Sequence, residues 1–199
     1  MTRDEDLIEQ INTLWLPVYP FMADHLLAAS GVRSGKLLDL GPFAGGIAVS
    51  LLAKSSGFRA KVIDPSARVL CSALEWAREQ GCSSRLAVRL SPVEPIPEPG
   101  GSFDLVAVRG AFFFLTPLLL REVKRVLRPG GFGWLGGGYG PLTPKEVIAP
   151  LADRSRRLNE ELGKRRITAA KCQELLAGAG LASCAKISTA GGLWIEVMG

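Results

Sequence analysis

Two carboxylates and two glycines in the first third of the chain carry the chemistry that the residue types and spacing suggest. Asp39 ends an apolar run, Leu37-Leu38-Asp39-Leu40, and Gly41-Pro42-Phe43-Ala44-Gly45-Gly46 follows at once. Asp64 ends a second apolar run and lies 25 positions after Asp39. Glycines without a Cβ let a ligand approach the backbone, and a helix beginning after them offers free N–H groups. A carboxylate two residues before the first glycine repels a pyrophosphate and favours a cationic ligand. A carboxylate at the tip of the next strand offers two oxygens to the two hydroxyls of a ribose. A helix cap is the other use of the Asp64-Pro65-Ser66 sequence, although Pro65 and Ser66 suffice for that without Asp64.

Strands and helices must alternate to place these groups. The run 37–40, the glycine loop and the helically spaced Ile47, Ala48, Leu51 and Leu52 form the start of a βαβ unit, whose ligands bind at strand ends. Phe58 to Ile63 predicts a second strand, and Val69, Leu70, Ala73, Leu74 and Ala77 predict the buried side of the next helix. Arg85 to Leu90 reads as a third strand, and the stretch 91–101, with its four prolines, as a semi-rigid loop. Ser102 to Arg109 is the nearly continuous apolar run of a buried parallel strand. Thr116-Pro117 opens a helix that Arg128-Pro129-Gly130-Gly131 closes, and Phe132 to Leu135 is the fifth strand. Gly136 to Pro141 is expected to be a flexible loop where a substrate approaches the backbone, and residues 144–162 to be helical. A helix over Thr168 to Ala179 follows, then a hairpin of Leu181–Ser188 and Leu193–Val197. Ahead of all this, residues 4–30 are helical in pattern, with Val18, Phe21, Met22, His25 and Ala29 on one face. Trp15, Tyr19 and Phe21 crowd that region and suit a cap over a pocket mouth.

The fourfold set of Asp39-Leu-Gly41…Gly45, Val62-Ile-Asp64, Phe103-Asp-Leu-Val106 and the helix end Val123-Lys-Arg-Val-Leu-Arg-Pro-Gly-Gly131 resembles the small-molecule branch of the class I S-adenosylmethionine-dependent methyltransferases. The resemblance covers about residues 36–136. It implies an α/β, Rossmann-like seven-stranded mostly parallel sheet of order 3-2-1-4-5-7-6 with the last strand antiparallel and helices on both faces. It also implies one domain over 1–199, with 1–35 an N-terminal helical cap and 36–199 the core. The implied activity is methyl transfer from S-adenosylmethionine, yielding S-adenosylhomocysteine, to a small-molecule acceptor. Asp39, Gly41, Pro42, Phe43 and Gly45 would then face the methionine part, Asp64 and Pro65 the ribose, and Val93 and Glu94 the adenine. Arg109 and Gly110 would line the pocket floor. Phe43 replaces the middle glycine of the pattern, and Pro92 stands where an adenine-binding Asp is common. Phe43 is expected either to enter the methionine pocket or to turn towards Tyr19 or Phe21. Nothing like Asn-Pro-Pro-Tyr follows the fourth strand, which argues against exocyclic base amines as acceptors.

Composition narrows the rest. The chain has 199 residues, 47% hydrophobic, which suits one folded core of ordinary size. Its longest apolar run, Ala111 to Leu120, is too short to span a bilayer, and an acidic start without a signal pattern points to the cytoplasm. Cys71, Cys82, Cys172 and Cys184 have no metal spacing. A net charge of +5 permits a nucleic-acid partner without requiring one. The basic run Arg154, Arg156, Arg157, Lys164, Arg165, Arg166 leaves open an RNA-modifying enzyme. A nucleoside-binding regulatory protein that has lost turnover is the other alternative. His25 is the single histidine and sits on an apolar face, which favours packing over base catalysis. Oligomeric state is left open by these features.

Overall fold

Alternation along β1 (Gly35–Leu40) sets the two-sided core of the protein, seen in a computed structural model that describes residues 2–163 and 167–199. Leu37 and Asp39 face one side of the sheet, Leu38 and Leu40 the other, and all four are fully buried. β2 (Phe58–Asp64) and β4 (Phe103–Arg109) flank β1 in parallel, and β3 (Leu86–Leu90) continues beyond β2. β5 (Leu127–Gly138) runs parallel to β4, and β7 (Gly192–Met198) lies antiparallel between β5 and β6 (Ala185–Ser188). The order is therefore β3-β2-β1-β4-β5-β7-β6, as the resemblance implies.

Helices cover both faces, as a buried parallel sheet requires. On one side lie α1 (Arg3–Leu14), α2 (Tyr19–Ser30), α3 (Gly46–Lys54) and α4 (Ala67–Glu79), packed on Leu37, Leu105 and Ala107. On the other lie α5 (Pro117–Val126) and α8 (Ala169–Ala179), packed on Leu38, Val106 and Val108. Their starts follow local chemistry. Thr2 accepts from the amide of Glu5, whose carboxylate accepts from the amide of Thr2, a reciprocal cap. Thr116 accepts from the amide of Leu119 at 2.9 Å, with Pro117 at the first helical position.

Four expectations need correction. Gly136 to Gly138 belong to β5 and pair with β7, so they are not a loop. A Cβ on Gly138 would overlap the backbone of Gly191 and Gly192, so the glycines serve the close approach of two strands. Pro150 divides the segment 144–162 into a short α6 (Lys145–Ile148) and α7 (Ala152–Glu161). The buried face of α2 consists of Tyr19, Met22, Ala23 and Leu26; Phe21 and His25 are half-buried and Ala29 is exposed. The hairpin strand expected from Leu181 begins at Ala185, because residues 182–184 form a turn. Lys164, Arg165 and Arg166 lie outside the described residues.

Candidate functional site

The loop after β1 folds around the carboxylate of Asp39. Its Oδ2 accepts from the amides of Gly45 at 2.9 Å and Ala48 at 3.0 Å, which fixes the loop to the first turn of α3. Gly41 and Gly45 have φ of 90° and 102°, a region that only glycine enters at little cost. The side chain is fully buried, and burial pushes its pKa up to about 7, opposed by the two amides and by the nearby charge of Arg109. The carboxylate expected to face a ligand is thus first a brace for the loop. Its Oδ1 keeps no hydrogen-bond partner.

Asp64, at the tip of β2, is arranged in the same way. Its Oδ1 accepts from the amide of Ser66 at 2.7 Å and turns the chain into α4, while Oδ2 is buried without a partner. Burial raises its pKa to about 6. The Ser66 hydroxyl makes no cap on α4, and the turn that Asp64 makes with the Ser66 amide uses only one of its oxygens.

Arg109 ends β4 beneath the first two helices. Its guanidinium lies over the rings of Trp15 at 4.1 Å, Phe43 at 4.7 Å and Tyr19 at 5.1 Å. Asn12 ties this group together. Its Oδ1 accepts from the Tyr19 hydroxyl at 3.0 Å and from Arg109 at 3.5 Å, and its Nδ2 donates to the Pro42 carbonyl at 3.1 Å. Trp15 also stacks on Tyr139 at 4.7 Å and donates to Ser155 Oγ on α7 at 2.9 Å.

Phe43 is fully buried and takes a seat between the two expected ones. Its ring covers Gly110, where a Cβ would overlap it, and it tilts against Phe113 at 5.5 Å. Its tie to Tyr19 runs through the shared Arg109. The Phe114 ring, in turn, covers Gly41. A cavity of about 230 Å³ opens beside Gly45 and Gly46, between α1 and α4, bordered by Asn12, Tyr19, Ser66 and Trp76.

Asp39, Phe43, Gly45 and Arg109 are therefore brought into one buried cluster, with the half-buried Gly110 under the Phe43 ring and Pro42 held by Asn12. Glu94 instead accepts from the Thr116 hydroxyl, linking the loop after β3 to the start of α5, and Val93 beside it is half-buried. Asn12, Trp15 and Phe114 did not figure among the expected site residues. The crowding of Trp15 and Tyr19 signalled a cap, but nothing in the sequence marks Asn12 as its fastening. His25 packs on Trp134 at 4.8 Å, and burial lowers its pKa. Among the described residues, no group of His, Cys, Asp and Glu is placed to hold a metal ion, and no helix is long and apolar enough to cross a membrane.

Known proteins share this architecture. Residues 38–135 match the family model of a methyltransferase domain. A protein from Methanococcus maripaludis, assigned as an S-adenosyl-L-methionine-dependent methyltransferase, is 26% identical, with a TM-score of 0.81 over 98% of this chain and 91% of that one. An assigned O-methyltransferase from Nostoc punctiforme is 18% identical, with a TM-score of 0.71 over 98% of this chain and 60% of that longer one. The geranyl diphosphate C-methyltransferase of Streptomyces coelicolor, solved with S-adenosyl-L-homocysteine, is 16% identical, with a TM-score of 0.64 over 88% and 75%. No curated protein sequence matches the chain.

Proposed function

Since this chain belongs to the class I S-adenosylmethionine-dependent methyltransferase family, we propose that it transfers a methyl group to a small-molecule acceptor. The observation that carries the reading is the buried, unpartnered Oδ2 of Asp64 at the tip of β2. A buried acceptor left without a hydrogen bond is costly, and a ribose hydroxyl would satisfy it. Asp39 Oδ1, similarly unpartnered, suits the ammonium of the methionine part. Gly41 and Gly45 keep the approach free of side chains, and Pro65, Val93 and Glu94 would border the nucleoside. The residues thus fit the cofactor, with one adjustment: the Phe114 ring must swing off Gly41 before a ligand reaches that glycine.

S-adenosylmethionine, when bound, supplies an electrophilic methyl carbon on a sulfonium. The leaving thioether needs no proton, so the protein contributes chiefly by alignment and by excluding water. The first two helices serve as the cap, with Trp15 and Tyr19 as its inner wall. A general base is needed only where the acceptor must lose a proton. On α7, Asp153 pairs with Arg156 at 2.8 Å, and Glu160 and Glu161 follow the arginines in the last turn, so that helix is mixed in charge. This favours a small molecule over RNA.

The test is calorimetric titration with S-adenosylmethionine and S-adenosylhomocysteine. The wild type should bind both, and Asp64→Ala should bind at least tenfold more weakly, since a hydrogen bond to a charged acceptor contributes about 1.5–3 kcal/mol. A wild type that binds neither compound overturns the reading.

A further inference from the structure

The cavity between α1 and α4 lies beside the buried cluster, and none of Asp39, Asp64 and Arg109 borders it. Its volume is about 230 Å³, room for about eight water-sized groups at about 30 Å³ each. The walls are apolar and aromatic. Ile8 of α1 and Val69 and Ala73 of α4 meet the rings of Tyr19 and Trp76, which tilt against each other at 5.7 Å. Trp76 is half-buried, so part of its ring stays open to a ligand.

The charge around those walls is negative. Glu5 and Glu9 border the cavity from α1 and Glu75 and Glu79 from α4, with Arg68 the one cation among the described lining residues. Arg68 is already engaged, pairing with Asp6 at 2.7 Å and with Glu9. Glu5 accepts from the Thr2 amide at 3.1 Å and from the Ser66 hydroxyl at 3.4 Å. Glu75 and Glu79, one turn apart on α4, pair with no cation among the described residues. The whole chain carries +5, so this local excess of carboxylates runs against its composition. Like charges one helical turn apart repel each other, and a cleft with apolar walls and one sign of charge gathers the opposite sign. An anion would be repelled, while a metal ion would leave the aromatic wall unused and a hydrocarbon would leave the carboxylates unused. We propose that the cavity is a second binding site, which takes a small apolar amine in its protonated form. The hydrocarbon packs on Tyr19 and Trp76, and the ammonium meets Glu75 and Glu79 at the mouth, where the Trp76 indole adds its own attraction for a cation. Gly45 and Asn12 also border this cavity, so an occupant packs against the glycine loop from the side of α4.

Benzylamine matches the volume and the charge, and benzyl alcohol is its neutral counterpart. Calorimetric titration of the full chain should show saturable benzylamine binding, about threefold or more tighter than benzyl alcohol, because exposed carboxylates attract a cation only modestly. That preference should shrink as salt rises. In the double variant Glu75→Gln, Glu79→Gln it should vanish, and both positions are exposed, so the fold tolerates the change. Trp76→Leu should weaken both probes. The ratio of two affinities in one preparation does not depend on how much of a variant is folded. Saturating S-adenosylhomocysteine should leave benzylamine binding in place, since the two sites are distinct. The comparison of the two probes needs no cofactor, so it decides the amine site even if the protein binds no S-adenosylhomocysteine. A wild type that ignores benzylamine or binds benzyl alcohol equally well overturns the proposal. So does an unchanged preference in the double variant, or displacement of benzylamine by S-adenosylhomocysteine.

Discussion

Buried acids at the ends of β1 and β2 tie the stability of this protein to pH. Burial raises Asp39 to about 7 and Asp64 to about 6, above the roughly 3.9 of an Asp in an unfolded chain. An acid with a raised folded pKa stabilises the fold while protonated. That contribution is complete below about pH 4 and is lost as pH rises through the folded value. The melting temperature should therefore fall between about pH 4 and pH 7 and level off above. Asp39→Asn keeps one acceptor for the Gly45 and Ala48 amides and should show a shallower fall. Parallel falls in variant and wild type would show that Asp39 does not titrate in that window. Phe43 belongs to the same scale. Removing its fully buried ring should cost about 3–5 kcal/mol of stability, judging from Phe→Ala changes in cores. Phe43→Gly should accordingly lower the melting temperature and leave S-adenosylhomocysteine affinity level or reduced, since it also adds backbone freedom to the loop. A large gain in affinity would show instead that the ring stands in the ligand's place.

Among the elements, α7 is where the proposed small acceptor can be tested against a nucleic acid. Arg154, Arg156 and Arg157 are exposed along it, with Asp153 before them and Glu160 and Glu161 after. A phosphate-binding helix loses affinity steeply as salt rises, in proportion to the phosphates it neutralises. RNA affinity measured against salt should be weak and nearly unchanged by replacing the three arginines with Ala. Tight binding whose salt slope flattens in that triple variant would redirect the acceptor to RNA. Elements were also where the sequence was least complete as a guide. Gly136-Gly137-Gly138 reads as a loop because glycines mark turns, whereas here they let β5 and β7 approach each other. Helical spacing placed Phe21 and Ala29 on the inner face of α2, but the Pro20 start and the contact with α3 rotate Tyr19, Ala23 and Leu26 inward. The order of strands, by contrast, is what the family resemblance implies, and the apolar runs mark only the strands themselves. The clasp of Asn12 on Pro42, Tyr19 and Arg109 depends on contacts 7 to 97 residues apart, and no local pattern encodes it.

At the scale of the molecule, the first two helices are both lid and core. Met22, Ala23 and Leu26 are completely buried in the cluster that includes α3, so the helices cover the sheet as well as Arg109. A chain lacking residues 1–30 should lose cooperative unfolding in urea, because those apolar neighbours would face water. A sharp transition in the truncated chain would make the segment a detachable cap, as the division at residue 35 suggests. On the far side of β4, Trp134 of β5 and Trp194 of β7 stack at 3.8 Å with 19° between their planes, and His25 of α2 leans on the first. Indoles this close share their excited states, so the pair should give a coupled circular dichroism signal in the far ultraviolet that neither ring gives alone. The protein thus has a built-in optical gauge of whether its antiparallel hairpin is docked. That gauge sits apart from the ligand-facing loops and can be read during any titration of them.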